Sequence, residues 1–219
     1  HDALPISLRP ISDYGRGKVA ADAAFMRAHY ESGFPVTIIK PSTTYGPKMG
    51  LQRQVAWMDF SWITRIQQGK PIVVCGDGNA LHQFLYVDDA APCFVNVLGR
   101  SRCIGQIYNM VSRGCISWAE HHRTAMKVIG REVDLVGVPY TNLDRMNIPG
   151  FGICREIYAH HTIYDAGKLF RDVPEFSPKI PLEEGMRRVI EAMKRENRIP
   201  TTDNDWEDRL ILQQRSVGC

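Results

Sequence analysis

The 219-residue sequence contains no apolar run near the roughly 18 residues that a membrane-spanning helix requires, which excludes a transmembrane helix. It has no block of consecutive lysines and arginines, and its formal net charge is only +3. Nucleic acid is therefore not expected as a partner. Six cysteines (75, 93, 103, 115, 154 and 219) show no C-x-x-C spacing and no secretory leader accompanies them. That pattern disfavours a zinc site or a disulfide framework and fits reduced thiols in the cytoplasm. There is no internal repeat and no low-complexity segment. What remains, at 44% apolar and 23% charged residues, is a chain able to bury a sizeable core.

Against this plain background one stretch stands out, Ser12 to Lys18 running into an alanine-rich segment. Tyr14 and Lys18 are four residues apart, and on a helix that spacing puts both side chains on one face about one turn apart. A free phenol titrates near ~10, and a nearby cation favours the phenolate and draws its pKa towards neutrality. The pair is thus a usable acid/base, although a Tyr–Lys pair on a merely exposed helix face has the same spacing.

Along the chain, residues 14–30 read as a helix capped by Ser12 or Asp13 and ended by Gly33. The apolar, β-branched run 35–39 then reads as a buried strand of a parallel sheet covered by helices. Two prolines and a glycine in Lys40 to Pro47 place a rigid loop at that strand's C-terminal end, where open α/β sheets bind ligands; a plain strand exit reads the same way. A helix is expected over 51–68, and strands over 71–75, 84–87, 107–111 and 134–138. Asp88 or Asp89 is expected to cap the helix that follows Val87, in preference to acting as an acid/base. Ser117 and Glu120 have capping-box spacing, and Gly130 closes their helix. Residues 140–160 read as irregular. A helix from Pro181 carries Glu183 and Glu184 at its start and Lys194 and Arg195 near its end, as the helix dipole prefers. His121–His122 and His160–His161 are adjacent pairs whose members are expected to diverge, which disfavours metal binding. Helix, turn and buried strand in alternation give an α/β fold.

Taken in order, these landmarks resemble the extended short-chain dehydrogenase/reductase family, in its NAD-dependent epimerase/dehydratase branch. Tyr14 and Lys18 match the family's Y-x-x-x-K. Lys40 to Pro47 is similar to its R-P-x-x-x-Y-G-P loop, and Gly76-Asp77-Gly78 with Val87-Asp88-Asp89 to its G-D-G…V-D-D segment. Ile107-Tyr108-Asn109 and the later Asp165…Lys168 and Leu182-Glu183-Glu184-Gly185 follow the same order. The resemblance covers roughly residues 8–195. It implies the C-terminal part of a Rossmann-type parallel sheet with a small α/β substrate-binding subdomain, NAD or NADP as cofactor, a small-molecule substrate and a homodimer. Tyr14 and Lys18 are implied to be catalytic. The same two residues with Pro41, Ser42, Thr43 and Thr44 are implied to bind the cofactor, and Thr43, Tyr45 and His82 the substrate.

The departures are as informative. The glycine-rich G-x-x-G-x-x-G turn that cradles the pyrophosphate in this family is absent, as is the catalytic Ser/Thr some two dozen residues before the tyrosine. The expectation is therefore a C-terminal half that neither binds NAD(P) nor turns over alone. Residues 1–7 are expected to be a non-native leader. Residues 8–50 and 86–112 are expected to be the remnant of the NAD(P)-binding domain, 51–85 and 113–205 the substrate-binding subdomain, and 206–219 a loose tail. Thr43 stands where nucleotide-sugar members carry Asn, and His82 where they carry a diphosphate-binding Arg. Both weaken a nucleotide-sugar assignment. The leading reading is an oxidoreductase or epimerase acting on a hydroxyl-bearing, sugar or nucleotide-sugar-like substrate. The other is a non-catalytic NAD(P)-fold binding or regulatory module, RNA-associated in some relatives.

Overall fold

The computed structural model describes residue 10 and residues 12–217; the expected leader, residues 1–7, lies outside the described residues. The chain runs α1 (Asp13–Ser32), β1 (Thr37–Pro41), β2 (Thr43–Tyr45), α2 (Ser61–Gln68), β3 (Ile72–Cys75), β4 (Leu81–His82), β5 (Phe84–Tyr86), α3 (Val87–Val97), β6 (Gln106–Met110) and β7 (Ile116–Ser117). It continues with α4 (Trp118–Ile129), β8 (Leu135–Val138), α5 (Tyr140–Arg145), a π-helical turn Cys154–Tyr158, α6 (Gly167–Asp172), α7 (Leu182–Arg195) and α8 (Asp205–Val217). Among the described residues no helix is long and apolar enough to cross a membrane.

The fold is α/β with parallel strand pairs, as the alternation of helix and buried strand implies. β1 pairs with β6, β2 with β5 and β3 with β8, all parallel, while β4 and β7 form a short antiparallel pair. Local signals set most boundaries. Ser12 caps α1 by accepting from Gly15 N, and Gly33 ends it in the left-handed region at φ 70°. Ser117 and Glu120 form the capping box that opens α4. The acidic first turn and basic last turn of α7 are in place, with Met186, Val189, Ile190 and Met193 on its buried stripe.

Residues 140–160, expected to be irregular, hold α5 and the π-helical turn, and the strand expected to be buried at 35–39 forms β1, which is only half-buried. Three further expectations are corrected. Residues 51–68 are not one helix, because only Ser61–Gln68 is helical. Leu51 through Ala56 are all buried, and six consecutive buried residues cannot share one face of a helix of period 3.6. The turn of Met58 to φ 57° separates this run from α2. Asp59 then receives Ser61 N at 2.9 Å and so supplies the start signal of α2. Second, neither Asp88 nor Asp89 is the N-cap of α3; Tyr86 holds that position. Asp89 Oδ2 instead accepts from the backbone N–H of Ile180 at 2.8 Å, and Asp88 faces Arg188 at 3.6 Å. Third, the segment expected to be loose from residue 206 is a docked helix, α8, over Asp205–Val217. Glu207, Leu210 and Ile211 on it are buried.

Glu207 shows why α8 docks. Its carboxylate is fully buried and receives both terminal nitrogens of the Arg53 guanidinium, at 2.6 and 3.0 Å, and the backbone N–H of Val73 at 2.8 Å. Val73 and Cys75 sit two apart on β3, so their N–H groups point away from the β8 ladder. Glu207 takes the first, and Gln54 Oε1 takes the second at 2.9 Å. The open edge of β3 is thus closed by side chains. A second arginine, Arg65, is also fully buried and meets Asp203 at 2.9 Å and Asp208 at 2.7 Å. Apolar packing crosses the expected subdomain lines: one core cluster joins Tyr45, Trp62, Tyr86, Trp118 and Met186.

Removing one partner of a buried ion pair leaves the other charge uncompensated, at a cost of about 3–5 kcal/mol. Glu207→Ala should lose stability on that scale in urea melts, whereas Arg209→Ala on the exposed face of the same helix should stay within about 0.5 kcal/mol. Equal small effects would show that α8 is held by its apolar side chains alone.

Candidate functional site

With Ser12 as the cap, Tyr14 falls in the first turn of α1 and Lys18 in the next. Lys18 Nζ lies 5.4 Å from the centroid of the Tyr14 ring, so the structure brings these two predicted residues together. They are presented to open space: Tyr14 is 74% exposed and no residue of α1 is buried. What attaches α1 to the body includes an ion pair between Asp22 and Lys40 of β1 at 2.6 Å.

The predicted loop at 41–45 is more ordered than a strand exit. Pro41 closes β1, and Thr43 to Tyr45 form β2 in parallel register with Phe84 to Tyr86. Between them Ser42 is held from both sides, its N–H donating to Met110 O at the end of β6 at 3.1 Å and its hydroxyl to Gln83 O just before β5 at 3.2 Å. Thr44 Oγ1 turns back to Ser42 O at 3.4 Å. Backbone placed at the C-terminal end of a parallel strand is where α/β sheets meet ligands.

The predicted substrate residues converge. Thr43 Oγ1 lies 2.6 Å from His82 Nε2, and Tyr45 and His82 both line a cavity of about 220 Å³ whose walls include Phe84, Ile116, Ile180 and Leu182. Neither Tyr14 nor Lys18 lines it. His82 is buried, stacked on Trp118 with ring centroids 5.3 Å apart and the planes at 28°. Burial pulls its pKa down to about 4, so the ring is neutral near pH 7, and its buried Nδ1 has no hydrogen-bond partner among the described residues. Burial likewise pushes the Tyr45 phenol up, with Tyr86 and Asp89 adding to the effect. Tyr45 is therefore a neutral hydroxyl here and not a base. Its position demands Gly185, because a Cβ there would come within 2.2 Å of the phenol oxygen.

Sequence reasoning missed Tyr158. It ends the π-helical turn, packs its ring 5.1 Å from His82 and 4.4 Å from Trp118, and is held by Gln54 Nε2 donating to its carbonyl at 3.1 Å. Burial raises its pKa to about 12, against a smaller lowering by a hydrogen bond with Thr43. Nothing in the weak periodicity of 140–160 pointed to it. His121 and His122, expected to diverge, are both buried in this aromatic cluster, with centroids 5.5 Å apart. His122 Nδ1 meets Trp118 O at 2.5 Å. Among the described residues no group of three or more His, Cys, Asp or Glu is placed to hold a metal ion.

Comparison with known proteins agrees with this architecture. The sequence model of the NAD dependent epimerase/dehydratase family matches residues 1–110. The chain is 27% identical over 183 residues to a 2'-dehydrokanamycin reductase of Streptomyces kanamyceticus, covering 84% of this chain and 50% of that protein. It is 30% identical over 186 residues to a dTDP-glucose 4,6-dehydratase of Haemophilus influenzae, covering 83% and 51% respectively. Among solved structures it is similar to UDP-glucuronic acid 4-epimerase from Bacillus cereus in complex with NAD. That match has a TM-score of 0.67 and 23% identity, over 90% of this chain and 56% of that one. The chain thus spans about half the length of the curated relatives it matches.

The three buried histidines set an expected pH response. His82 is held at about 4 and His122 at about 3, chiefly by burial, and His121 well below its ordinary value by burial and by its two histidine neighbours. Below about pH 6.5 the unfolded chain takes up protons there that the folded chain refuses, so stability is complete above that pH and falls as pH drops. The slope approaches about 1.4 kcal/mol per pH unit for each histidine. Urea melts between pH 7.5 and 5 should show it, and His121→Phe should reduce the slope. A flat profile across that window would contradict the burial of neutral imidazoles.

Proposed function

Because the chain belongs to the NAD dependent epimerase/dehydratase family, we propose that it carries the acid/base part of an NAD(P)-dependent oxidoreductase or epimerase. Its substrate is a hydroxyl-bearing molecule, a sugar or nucleotide-sugar-like compound. The observation that carries this reading is the placement of Lys18 Nζ 5.4 Å from the Tyr14 ring on an uncovered helix face. A phenol beside an ammonium can take the hydroxyl proton of a carbinol, and the ammonium stabilises the phenolate that does so. The relatives named as a reductase and as a dTDP-glucose 4,6-dehydratase agree with chemistry of that class.

NAD or NADP fits the described residues at its nicotinamide end. Tyr14 and Lys18 are open to a ligand, and Pro41, Ser42, Thr43 and Thr44 stand at the C-terminal end of β1. No G-x-x-G-x-x-G turn for the pyrophosphate occurs in the sequence. When bound, the dinucleotide supplies the hydride acceptor or donor. Tyr14 manages the substrate's hydroxyl proton, Lys18 tunes it and holds the ribose, and Thr43, Tyr45 and His82 orient the substrate. The separation of the Tyr14–Lys18 pair from the cavity at His82 favours one other reading, a non-catalytic binding or regulatory module on the same fold.

The test is made in the whole protein. Tyr14→Phe should lower kcat by about 10²–10⁴-fold with dinucleotide affinity nearly intact, and Lys18→Met should damage both. Unchanged turnover in Tyr14→Phe would overturn the acid/base role of Tyr14 on which this reading rests. Titrated alone, the 219-residue chain should show no saturable binding of NAD or NADP; micromolar binding would mean that the glycine-rich turn is not needed.

A further inference from the structure

We propose that the cavity between β2, β5 and β7 receives an uncharged, hydroxyl-bearing end of the substrate and that His82 sets this preference against a diphosphate. The inference rests on the reading of the chain as part of an enzyme acting on a hydroxyl-bearing molecule, and it narrows that molecule's class.

A diphosphate in a protein site is held by cations or by converging N–H groups, with the planar arginine fork the best match. None of the side chains lining this cavity carries a fixed charge. His82 has the one ionisable ring that could become cationic, and it is buried, stacked on Trp118 and engaged at Nε2 by Thr43 at 2.6 Å. Its low pKa, near 4, agrees with that setting. None of the cations on the adjoining segments lines the cavity. Arg113 lies over the Phe170 ring at 3.8 Å. Arg188 donates to Glu184 at 2.8 Å. Lys179 is exposed. The wall itself carries negative charge behind it, since the Asp89 carboxylate holds the Ile180 N–H at 2.8 Å. An anion entering here would lose its water and gain no counter-charge.

What the cavity offers suits a neutral ring. Phe84, Ile116, Ile180 and Leu182 give apolar faces, and Tyr45 and Ser112 give hydroxyls. The ring of His82 closes the wall as an aromatic surface stacked on Trp118, with Nε2 already engaged by Thr43. At about 220 Å³ the space is smaller than the roughly 300–1,000 Å³ of a pocket for a whole drug-sized ligand. It therefore takes one end of the substrate, of the size of a single substituted ring.

Cys115 is an exposed free thiol on the cavity wall and provides the readout. Its alkylation by iodoacetamide in the full chain is followed by peptide mass spectrometry with three probes: phenyl β-D-glucopyranoside, phenyl β-D-glucuronide and inorganic pyrophosphate. The neutral glucoside should protect Cys115, about threefold at twice its Kd. The glucuronide, which differs by one carboxylate, and pyrophosphate should protect less at equal concentration. Ile116→Trp, which fills the cavity, should abolish the protection, and His82→Arg should shift the ranking towards pyrophosphate. Protection by pyrophosphate or the glucuronide equal to or better than that by the glucoside overturns the proposal. So does the absence of protection by all three. Failure of the acid/base reading registers elsewhere, as unchanged turnover in Tyr14→Phe, and leaves this ranking of ligands as it is.

Discussion

The carboxylate of Glu207 is the constraint on which much of the structure depends. It is fully buried, and a buried carboxylate is tolerated only where hydrogen bonds and an opposite charge surround it. Here it receives two bonds from Arg53 and one from the backbone of Val73. The arrangement fixes three pieces at once: α8, the edge of β3 and the irregular buried run 51–56. Fixing that run places Gln54 between Cys75 N and Tyr158 O. Tyr158 in turn packs on His82 and Trp118. A charge pair at one end of the molecule is thus connected, through hydrogen bonds and ring contacts that can each be named, to the ring at the floor of the candidate substrate cavity.

The same logic explains the character of that cavity. Its floor and one wall are built from groups already committed to protein partners. Thr43 is bound to His82, Asp89 to the Ile180 backbone, and Tyr45 is pressed against Gly185. Committed polar groups are rigid, and rigid groups define a shape. The Tyr14–Lys18 pair is the opposite case. It sits on a helix with no buried residue and is open to whatever a ligand or neighbouring chain segment brings. One part of the candidate site is pre-formed and neutral, and the other is exposed and charged.

Much of the fold was legible because its signals are local. Ser12, Gly33, Ser117 with Glu120, and the charge order of α7 each act within one helical turn, and each lies where the spacing predicts. The apolar, β-branched runs gave the parallel strands for a similar reason, although only β3 and β5 are buried throughout, while β1 is half-buried and exposed at Pro41. The failures are long-range. Val55, Trp62 and Ile66 mimic a helix stripe through 51–68, but Arg53 is drawn to Glu207, 154 residues away, and no local pattern encodes that partner. The tail from 206 looks polar because Glu207 and Asp208 are charged, although those charges are what dock it on Arg53 and Arg65. Asp89 has the residue type and position of a helix cap, yet its acceptor is spent on a backbone group 91 residues on. Thr43, Tyr45 and His82 were singled out because they fall in ordered motifs, and the structure brings them together at one cavity. Tyr158 was not, since its place comes from a π-helical turn and from a glutamine 104 residues away in the chain.

The most direct test of this account is amide hydrogen exchange at β3 in the unmodified chain. Ile72 and Gly76 donate to backbone carbonyls of Asp134 and Val138, whereas Val73 and Cys75 face away from that ladder and are closed only by Glu207 and Gln54. If the buried side chains seal this edge, Val73 and Cys75 should exchange as slowly as Ile72 and Gly76, near the rate set by global unfolding. Exchange of Val73 and Cys75 at rates close to those of an unprotected chain, with Ile72 and Gly76 still slow, would show that the edge is open. The linkage from Glu207 to the cavity would then fail at its first step.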